Sequence, residues 1–260
     1  MTYDTLLYDE DARGIALVTL NRPESMNAFD RQMGLEFVDV WARIRKSESI
    51  KAVVLRAAGD RAFCTGADVK KGGWADKTQG PFDLEDPSGY LGPKQNRVWK
   101  PVVCAVHGLC AGGAFYFINE SDIVICSDDA QFFDPHVTFG LVSAVEPVGA
   151  MGRMPLADIT RMALMGNDER ISASTALRIS LVTEVTNRPE LWSRAEEIAA
   201  TLANKPAAAI QGTVKAIWES ADLPRTTAVA NALKYCQLGN PIGKAEVDRW
   251  NTPRAKWRLR

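Results

Sequence analysis

The stretch KPVVCAVHGLCAGGAFYF, residues 100–117, combines a strand, a glycine turn and the start of a helix in one short segment. PVVCAVHG (101–108) is an apolar, β-branched run of the kind that forms a buried strand. Gly112 and Gly113 follow it, and a helix-like stretch, AFYFINES (114–121), comes next. Parallel sheets bind ligands at the turns that follow the carboxyl ends of their strands. The glycine pair is therefore a candidate part of a binding site.

The neighbouring segments predict an α/β fold with parallel strands. GIALVTLN (14–21) and KAVVLRAAG (51–59) are β-rich apolar runs, and between Ser25 and Lys46 the apolar residues recur at helical spacing. A strand, a helix and a second strand in this order indicate a parallel βαβ unit. DIVICS (122–127) predicts a fourth strand.

The rest of the chain is predicted to contain one long loop and a series of helices. Residues 72–98 are rich in Gly, Pro and Asp, which indicates a long loop or a partly helical lid. Apolar spacing beyond this loop predicts several helices, the first of which has Ser172 or Ser174 available as its N-cap. These helices are expected at 171–179, 190–203, 207–220 and 224–237.

This pattern divides the chain into an α/β core, residues 1–200, and a C-terminal helical region, residues 201–260. The last helices are too apolar for an isolated appendage, so we expect them to pack on the core or on another subunit. The tail EVDRWNTPRAKWRLR (246–260) is basic and contains two tryptophans. It is interpreted either as a solvated end with packed indoles or as a flap that closes on an anionic ligand or a neighbouring subunit.

The composition limits the classes of function. The chain has 260 residues, is 46% hydrophobic and carries a net charge of −1, which suits a large core but not a nucleic-acid or anionic-membrane surface. No apolar run approaches the ~20 residues that span a bilayer. The N-terminal MTYDTLLYDEDARG (1–14) has neither the basic nor the apolar segment of an export signal. We therefore expect a cytoplasmic protein.

The cysteines also favour a cytoplasmic protein. There are five, scattered and without a CxxC pair, and the chain has only two histidines. Such a set predicts reduced core thiols and no metal site.

Two glycine turns carry the first indication of chemistry. FCTGAD (63–68) and GLCAGGA (108–114) each follow a predicted strand. A helix that begins at Gly113 would present free backbone N–H groups and the positive end of its dipole. Two N–H groups that converge from separate turns form an oxyanion hole, which stabilises a developing enolate or tetrahedral oxyanion.

These turns belong to five collinear motifs that together resemble the crotonase (enoyl-CoA hydratase/isomerase) superfamily over about residues 5–220. The resemblance implies a crotonase-like spiral of ββα units, with C-terminal helices that build trimers, which often pair into hexamers. It also implies acyl-CoA thioester substrates, with no cofactor beyond the coenzyme A that the substrate carries. The motifs are LNRPESMNAF (20–29), RAFCTGADVK (61–70), KPVVCAVHGLCAGGAFYF (100–117), SDIVICSDDAQF (121–132) and RISASTALRISLV (170–182).

The resemblance also assigns roles to individual residues. The oxyanion hole falls on the N–H groups of Ala67 and Gly113, which are small enough to let a thioester carbonyl approach. Ala62 and Asp68 would hold the adenine and bend the coenzyme A. Arg22 is expected at the surface, either meeting the coenzyme A phosphates or simply solvated.

The chain departs from the family pattern at both catalytic positions. Family hydratases use two glutamates to hold a water and pass its proton to the α-carbon, and Tyr116 and His136 stand at these positions here. A neutral imidazole with a pKa of about 6.5 is a general base, and a phenol with a pKa of about 10 donates a proton or hydrogen bond. The pair would support proton transfer at the α- or γ-carbon, or position water to hydrolyse a thioester or C–C bond.

Nearby residues offer further acids. Glu146 is the preferred acid partner, while Asp134 lies two residues before His136 and would point the same way on extended backbone. Glu120, one helical turn beyond the tyrosine, is expected to be structural or to lie at an interface. His107 is also interpreted as structural.

The sequence therefore predicts an acyl-CoA-processing enzyme of the hydratase/isomerase type. A hydrolase or decarboxylase acting on a CoA thioester and a non-catalytic acyl-CoA-binding protein remain as alternatives. The acyl group, and the choice between a homotrimer and a dimer of trimers, are left open. Trp74, Phe82 and Tyr90 in the long loop suggest only an apolar wall for the acyl pocket.

Overall fold

A computed structural model describes residues 2–74, 85–248, 252 and 257–259. The larger of its two sheets has six strands, of which the first is antiparallel to its neighbour and the others are parallel. With strands numbered in chain order, their spatial order is β1 (Leu6–Glu10), β2 (Ile15–Leu20), β3 (Ala52–Ala57), β5 (Val102–Val106), β7 (Ile123–Ser127) and β10 (Glu184–Thr186).

A smaller sheet of four strands lies beside it. Its first three strands are parallel and the last is antiparallel. The chain passes from a strand of the larger sheet to one of the smaller at β3–β4, β5–β6 and β7–β8, the repeating ββ step that the resemblance implies. The strands of the smaller sheet are β4 (Ala62–Cys64), β6 (Leu109–Ala111), β8 (Gln131–Phe133) and β9 (Ile171–Ser172).

The helices follow the predicted pattern in most places. The four helices predicted beyond residue 170 are present, and the Ser172 hydroxyl caps the first by accepting a hydrogen bond from Thr175 N. The last continues past residue 237. The helices are α1 (Arg31–Lys46), α2 (Ser88–Leu91), α3 (Phe115–Asn119), α4 (Val145–Gly149), α5 (Leu156–Met165), α6 (Ala173–Arg178), α7 (Leu191–Ala203), α8 (Ala207–Ala221) and α9 (Arg225–Ala245).

Helix α1 begins later than the sequence predicts. The backbone of Met26 and Asn27 has positive φ, which interrupts a helix, so the expected start at Ser25 is wrong. The true N-cap is Asp30, whose side chain accepts a hydrogen bond from Met33 N at 3.0 Å. The apolar spacing located the helix, but the cap that starts it lies inside the periodic segment.

The larger sheet is covered on both faces, which explains why its inner strands β2, β3, β5 and β7 are largely apolar. The buried side of α1, including Phe37 and Trp41, belongs to the main core cluster. Helix α7 places Leu191, Ala195 and Ala199 in a second cluster with strand residues of the larger sheet. The sheet is thus a rigid support for the turns at its strand ends.

The C-terminal helices pack on each other and on the core. Trp218 on α8 donates its indole N–H to Asp122 Oδ1 at 2.7 Å, and Lys94 Nζ lies 2.7 Å from the other oxygen of Asp122. The expectation that these helices contact the core is therefore confirmed. The division of the chain at residue 200 stays a prediction.

Parts of the long loop and of the tail lie outside the described residues, among them Phe82 and Trp250. Trp257 is 82% exposed, so its indole is not packed as one interpretation of the tail assumes. Arg258 lies 3.8 Å from Glu184. Within the described residues, no helix combines the length and the hydrophobicity needed to cross a bilayer.

The cysteines are free thiols. As predicted, four of them are buried in the core, at Cys64, Cys104, Cys110 and Cys126, whereas Cys236 on α9 is exposed.

Candidate active site

The first glycine turn is held by a parallel bridge between Phe29 and Ala67. Phe29 N donates to Gly66 O at 2.9 Å, and Asp68 N donates to Phe29 O at 2.8 Å. Parallel pairing of this kind uses the groups on either side of Ala67, so the N–H of Ala67 itself points away from Phe29.

The second glycine turn lies directly against the first. A Cβ atom at Gly66 would come within 3.1 Å of Gly113 N, and Gly66 has a φ of +85°, so both space and backbone conformation require glycine there. Gly113 lies in the first turn of a 3₁₀ helix, Gly112–Ala114, where N–H groups lack intrahelical acceptors. The structure thus brings together the two turns that carry the predicted oxyanion hole.

The side chains of Tyr116 and His136 each pack against one of the two glycines of this second turn. A Cβ atom at Gly113 would lie 3.2 Å from Tyr116 Cε2, and one at Gly112 would lie 3.6 Å from His136 Cε1. Both side chains therefore contact the second glycine turn, and their correspondence to the two glutamates of family hydratases stays a prediction.

An Asx turn at the end of β8 orients His136. Asp134 is fully buried, and its Oδ1 accepts a hydrogen bond from His136 N at 3.1 Å and lies 2.5 Å from His136 Nδ1. Ser143 donates its hydroxyl to the other oxygen at 2.6 Å. Burial opposes ionisation of Asp134, but the hydrogen bonds from His136 and Ser143 outweigh it and hold the Asp134 pKa below its usual range. The same contact with Asp134 raises the pKa of His136.

Glu146 is the second carboxylate beside this imidazole. It is 4% exposed, and its Oε1 lies 3.7 Å from His136 Nε2. Asn119 donates from its side-chain amide to the backbone carbonyl of Glu146 at 2.8 Å, which ties α4 to the end of α3. Burial raises the pKa of Glu146, and the neighbouring imidazole partly offsets that rise. The structure places the preferred acid partner next to His136.

Tyr116 contacts a carboxylate that no sequence pattern singles out. Its hydroxyl donates to Asp86 Oδ2 at 3.3 Å. Burial, together with the charges of Glu146 and Asp86, raises the pKa of the phenol, so it keeps its proton at neutral pH. Asp86 lies in the long loop, far from the tyrosine in sequence, and no motif or spacing connects the two.

The ligand-type atoms of Asp134, His136 and Glu146 lie within 4.8 Å of one another, a spacing that would also suit a metal ion. We assign no metal there, because His136 Nδ1 and both oxygens of Asp134 already take part in hydrogen bonds. That the site works without a metal stays a prediction.

The prediction of a surface arginine at position 22 is wrong. Arg22 is buried, and its guanidinium lies 2.7 Å from Asp68 Oδ2 and 3.4 Å from Asp30 Oδ2. Its charge is thus neutralised inside the protein, where it holds the FCTGAD turn to the start of α1. Ala62 is also buried, and its carbonyl accepts from Asn27 Nδ2 at 2.9 Å. Whether Arg22, Ala62, Ala67 and Asp68 contact coenzyme A stays a prediction.

The structure also shows the contacts of the remaining candidate residues. Trp74 and Tyr90 pack edge to face with ring centroids 5.0 Å apart, and Phe29 links this pair to Tyr116. Glu120 accepts hydrogen bonds from the backbone N–H groups of Lys94 and Gln95, which confirms its structural role. His107 is fully buried, in agreement with a structural role.

A sequence profile of the enoyl-CoA hydratase/isomerase family matches residues 10–234. The chain belongs to this family. It is 32% identical over 216 residues to (E)-benzylidenesuccinyl-CoA hydratase of Thauera aromatica, covering 83% of each protein. It is 28% identical over 224 residues to carnitinyl-CoA dehydratase of Escherichia coli K12, covering 85% of this chain and 82% of that one.

A solved structure agrees with both matches. An enoyl-CoA hydratase/isomerase from Mycobacterium paratuberculosis superposes with a TM-score of 0.82 at 34% identity, covering 91% of this chain and 90% of that one. The resemblance carried by the five motifs is therefore confirmed, and so is the crotonase-like fold of this enoyl-CoA hydratase/isomerase family enzyme.

Proposed function

We propose that this enzyme adds water to, or removes water from, the acyl group of a CoA thioester, through an enolate held in a backbone oxyanion hole. The names of two relatives, a hydratase and a dehydratase of acyl-CoA substrates, support this reaction class. The observation that carries the proposal is the contact between the two glycine turns, with Tyr116 and His136 against the second turn and Glu146 beside His136.

The thioester oxygen is received by the N–H groups of Ala67 and Gly113. Two backbone donors aimed at a developing oxyanion act without reorganisation when charge appears there. Gly66 approaches Gly113 N so closely that the two turns are fixed relative to each other. This rigidity is what an oxyanion hole needs to favour the enolate over the ground-state carbonyl.

His136, Glu146 and Tyr116 replace the pair of glutamates. Glu146 is buried beside His136, so one carboxylate remains at the site although it comes from α4 rather than from either usual position. Tyr116 keeps its proton and donates a hydrogen bond. A base, an acid and a hydrogen-bond donor are thus available for water addition.

A serine hydrolase arrangement is not formed around His136. Ser143 donates its hydroxyl to Asp134, and Nε2 of His136 faces Glu146 instead of a hydroxyl nucleophile. A nucleophilic triad requires the hydroxyl to bond the free nitrogen of the histidine. Thioester hydrolysis, decarboxylation and binding without turnover are therefore treated as outcomes of the assay.

Coenzyme A is expected to bind along the turn that contains Ala62 and Ala67. Arg22 would position Asp68 there, and no other cofactor is expected.

The five free cysteines support a cytoplasmic location.

We also propose that the enzyme works as a homotrimer or a dimer of trimers. Residues 139–165 next to the site expose Phe139, Val142 and Leu156, and α9 exposes Leu233 and Leu238. Two different apolar faces on one subunit can form a closed ring by head-to-tail contact. Sedimentation equilibrium would test this, and a monomer would contradict it.

The function is tested with a panel of 2-enoyl-, 3-hydroxyacyl-, β-keto- and malonyl-type CoA esters. Reversible hydration of an enoyl ester is expected, and it should fall sharply in His136→Ala and less in Tyr116→Phe. Turnover that neither change affects would contradict the proposed chemistry. Release of free coenzyme A alone would indicate a hydrolase, loss of CO₂ from a malonyl-type ester would indicate a decarboxylase, and tight binding without turnover would indicate a binding protein.

A further inference from the structure

We infer that Asp134 is a positioning residue which fixes His136 by Nδ1, so that Nε2 delivers a proton to the substrate while Glu146 acts as the base. This inference rests on the proposed function. It reverses the simplest interpretation of the sequence, in which a neutral imidazole takes a proton.

The contacts of Asp134 carry the first step. Both of its oxygens are used, one by Ser143 and the other by the backbone N–H and Nδ1 of His136. An ionised carboxylate can only accept hydrogen bonds, so Nδ1 must carry the hydrogen. Because the Asx turn also holds the backbone of His136, the ring has little freedom to flip.

The second step concerns Nε2, which lies 3.7 Å from Glu146 Oε1. This distance is too long for a hydrogen bond but allows charge attraction. An imidazole between two carboxylates is favoured in its charged form. The titratable groups that face it are Asp134 and Glu146, and Tyr116 acts only through Glu146. His136 thus enters the reaction holding a proton on Nε2 that no hydrogen bond to Glu146 retains.

The resulting reaction balances. For hydration, Glu146 takes a proton from water as the C3–O bond forms, and the π electrons of the C2–C3 double bond move onto the thioester oxygen. The enolate then collapses as C2 takes the proton from His136 Nε2. Glu146 ends protonated and His136 neutral, and exchange with solvent then removes the proton from Glu146 and restores one to His136 Nε2. Dehydration runs the same steps backwards.

The imidazole can be titrated directly by NMR, without any substrate. The chain has two histidines, and His136→Gln identifies the signal of His136. His107 is expected to titrate with a pKa of about 4, so the two signals separate. In the wild-type protein His136 should titrate above the ordinary value of 6.5. Titration at or below that value would overturn the inference, and this readout needs no substituted Asp134.

Activity gives the second readout. In Asp134→Asn the pKa of His136 should fall, and the alkaline limb of the kcat/KM profile should move to lower pH with KM little changed. A merely structural role would lower kcat at every pH and leave the limb in place, which would overturn the inference. Ser143→Ala keeps the charge of Asp134, so its alkaline limb should stay closer to that of the wild type.

The two readouts separate this inference from the proposed function. If no CoA ester is turned over, the proposed function fails while the NMR titration still decides the state of His136. If an ester is hydrated but His136 is neutral at its working pH, only the assignment of acid and base fails.

Discussion

His136 Nε2 lies 3.7 Å from Glu146 Oε1, on a surface where the family pattern calls for two glutamates. The sequence shows the loss of both expected carboxylates, whereas the structure supplies one from α4. In the proposed mechanism the acid and base are therefore a histidine and a glutamate, brought together by the turn after β8 and the helix that follows it.

Replacing Gly113 by proline should remove one oxyanion donor. Loss of such a donor lowers kcat by about 10² to 10³. The matched control is Gly113→Ala, which keeps the backbone N–H. In both variants the added Cβ atom would lie 2.6 Å from Phe29 Cζ, so both crowd that ring. Steady-state kinetics should show a much larger loss of kcat for proline than for alanine. Equal losses would assign the effect to crowding of Phe29 and remove Gly113 from the oxyanion hole.

Tyr116→Phe should shift the pH dependence of the reaction as well as its rate. The tyrosine hydroxyl helps to lower the pKa of Glu146, so its removal should raise that pKa further. If Glu146 is the base, it must be ionised, and the acid limb of kcat/KM should move to higher pH. Removing one proton-handling group lowers kcat by about 10² or more, but removing a phenol that only tunes the pKa of that group should cost less. Tyr90→Phe is the control within the same aromatic cluster, and an identical profile for both variants would argue against a role for Tyr116.

Arg22→Met should destabilise the fold. Breaking this buried ion pair leaves the Asp68 carboxylate without its cationic partner and costs about 3 to 5 kcal/mol, whereas Asp30 keeps its ion pair with Lys71 at 2.7 Å. The pKa values of both carboxyls are held low, by hydrogen bonds and by the Arg22 charge acting against burial. Their stabilisation is present above the ordinary value of 3.8 and is lost as the pH falls through the folded pKa.

The difference in unfolding free energy between wild type and Arg22→Met should therefore shrink in acid. Denaturant unfolding across that range measures it. Arg13→Met, at an exposed pair with Asp11, should cost less than about 1 kcal/mol. A loss at Arg22 no larger than at Arg13 would show that the buried pair is not a structural anchor.

His107 should make the protein more sensitive to mild acid. Burial lowers its pKa from 6.5 to about 4, so the unfolded chain binds a proton in this range that the folded chain does not. Stability is complete above 6.5 and falls as the pH drops towards 4, by about 3 kcal/mol at 1.36 kcal/mol per pKa unit. His107→Leu should flatten this slope in denaturant unfolding, and His136→Gln should leave it in place. A slope unchanged in His107→Leu would contradict the assignment.

The strands and turns that depend on residues close together in the chain could be predicted from the sequence. Apolar runs located the strands of the larger sheet from β2 to β7, and the glycine motifs located both turns. The three-residue strands β4, β6 and β8 are too short to show alternation, so only the resemblance implied them. Helix α1 was misplaced at its start because positive-φ residues interrupt an otherwise periodic segment.

Site residues that lie within one motif could be predicted from the sequence. Contacts between segments that are distant in the chain could not. Glu146 was selected from its segment, but its contact with His136 depends on how α4 packs on α3 through Asn119. Asp86 reaches Tyr116 from a loop with no periodicity. Arg22 was expected at the surface because nothing in its own motif reveals that Asp68, on another turn, neutralises its charge.

The central claim is that Glu146 has taken over the work of the missing glutamates, and Glu146→Gln tests it most directly. The change preserves shape and removes only the basic oxygen, while Glu120→Gln is the matched control at a partly buried glutamate that accepts hydrogen bonds from backbone N–H groups outside the site. The measurement is the initial rate of enoyl-CoA hydration, followed by the loss of conjugated-thioester absorbance. We expect kcat to fall by about 10² or more in Glu146→Gln, with little change in KM, and to stay near the wild-type value in Glu120→Gln. Wild-type turnover by Glu146→Gln would contradict the account.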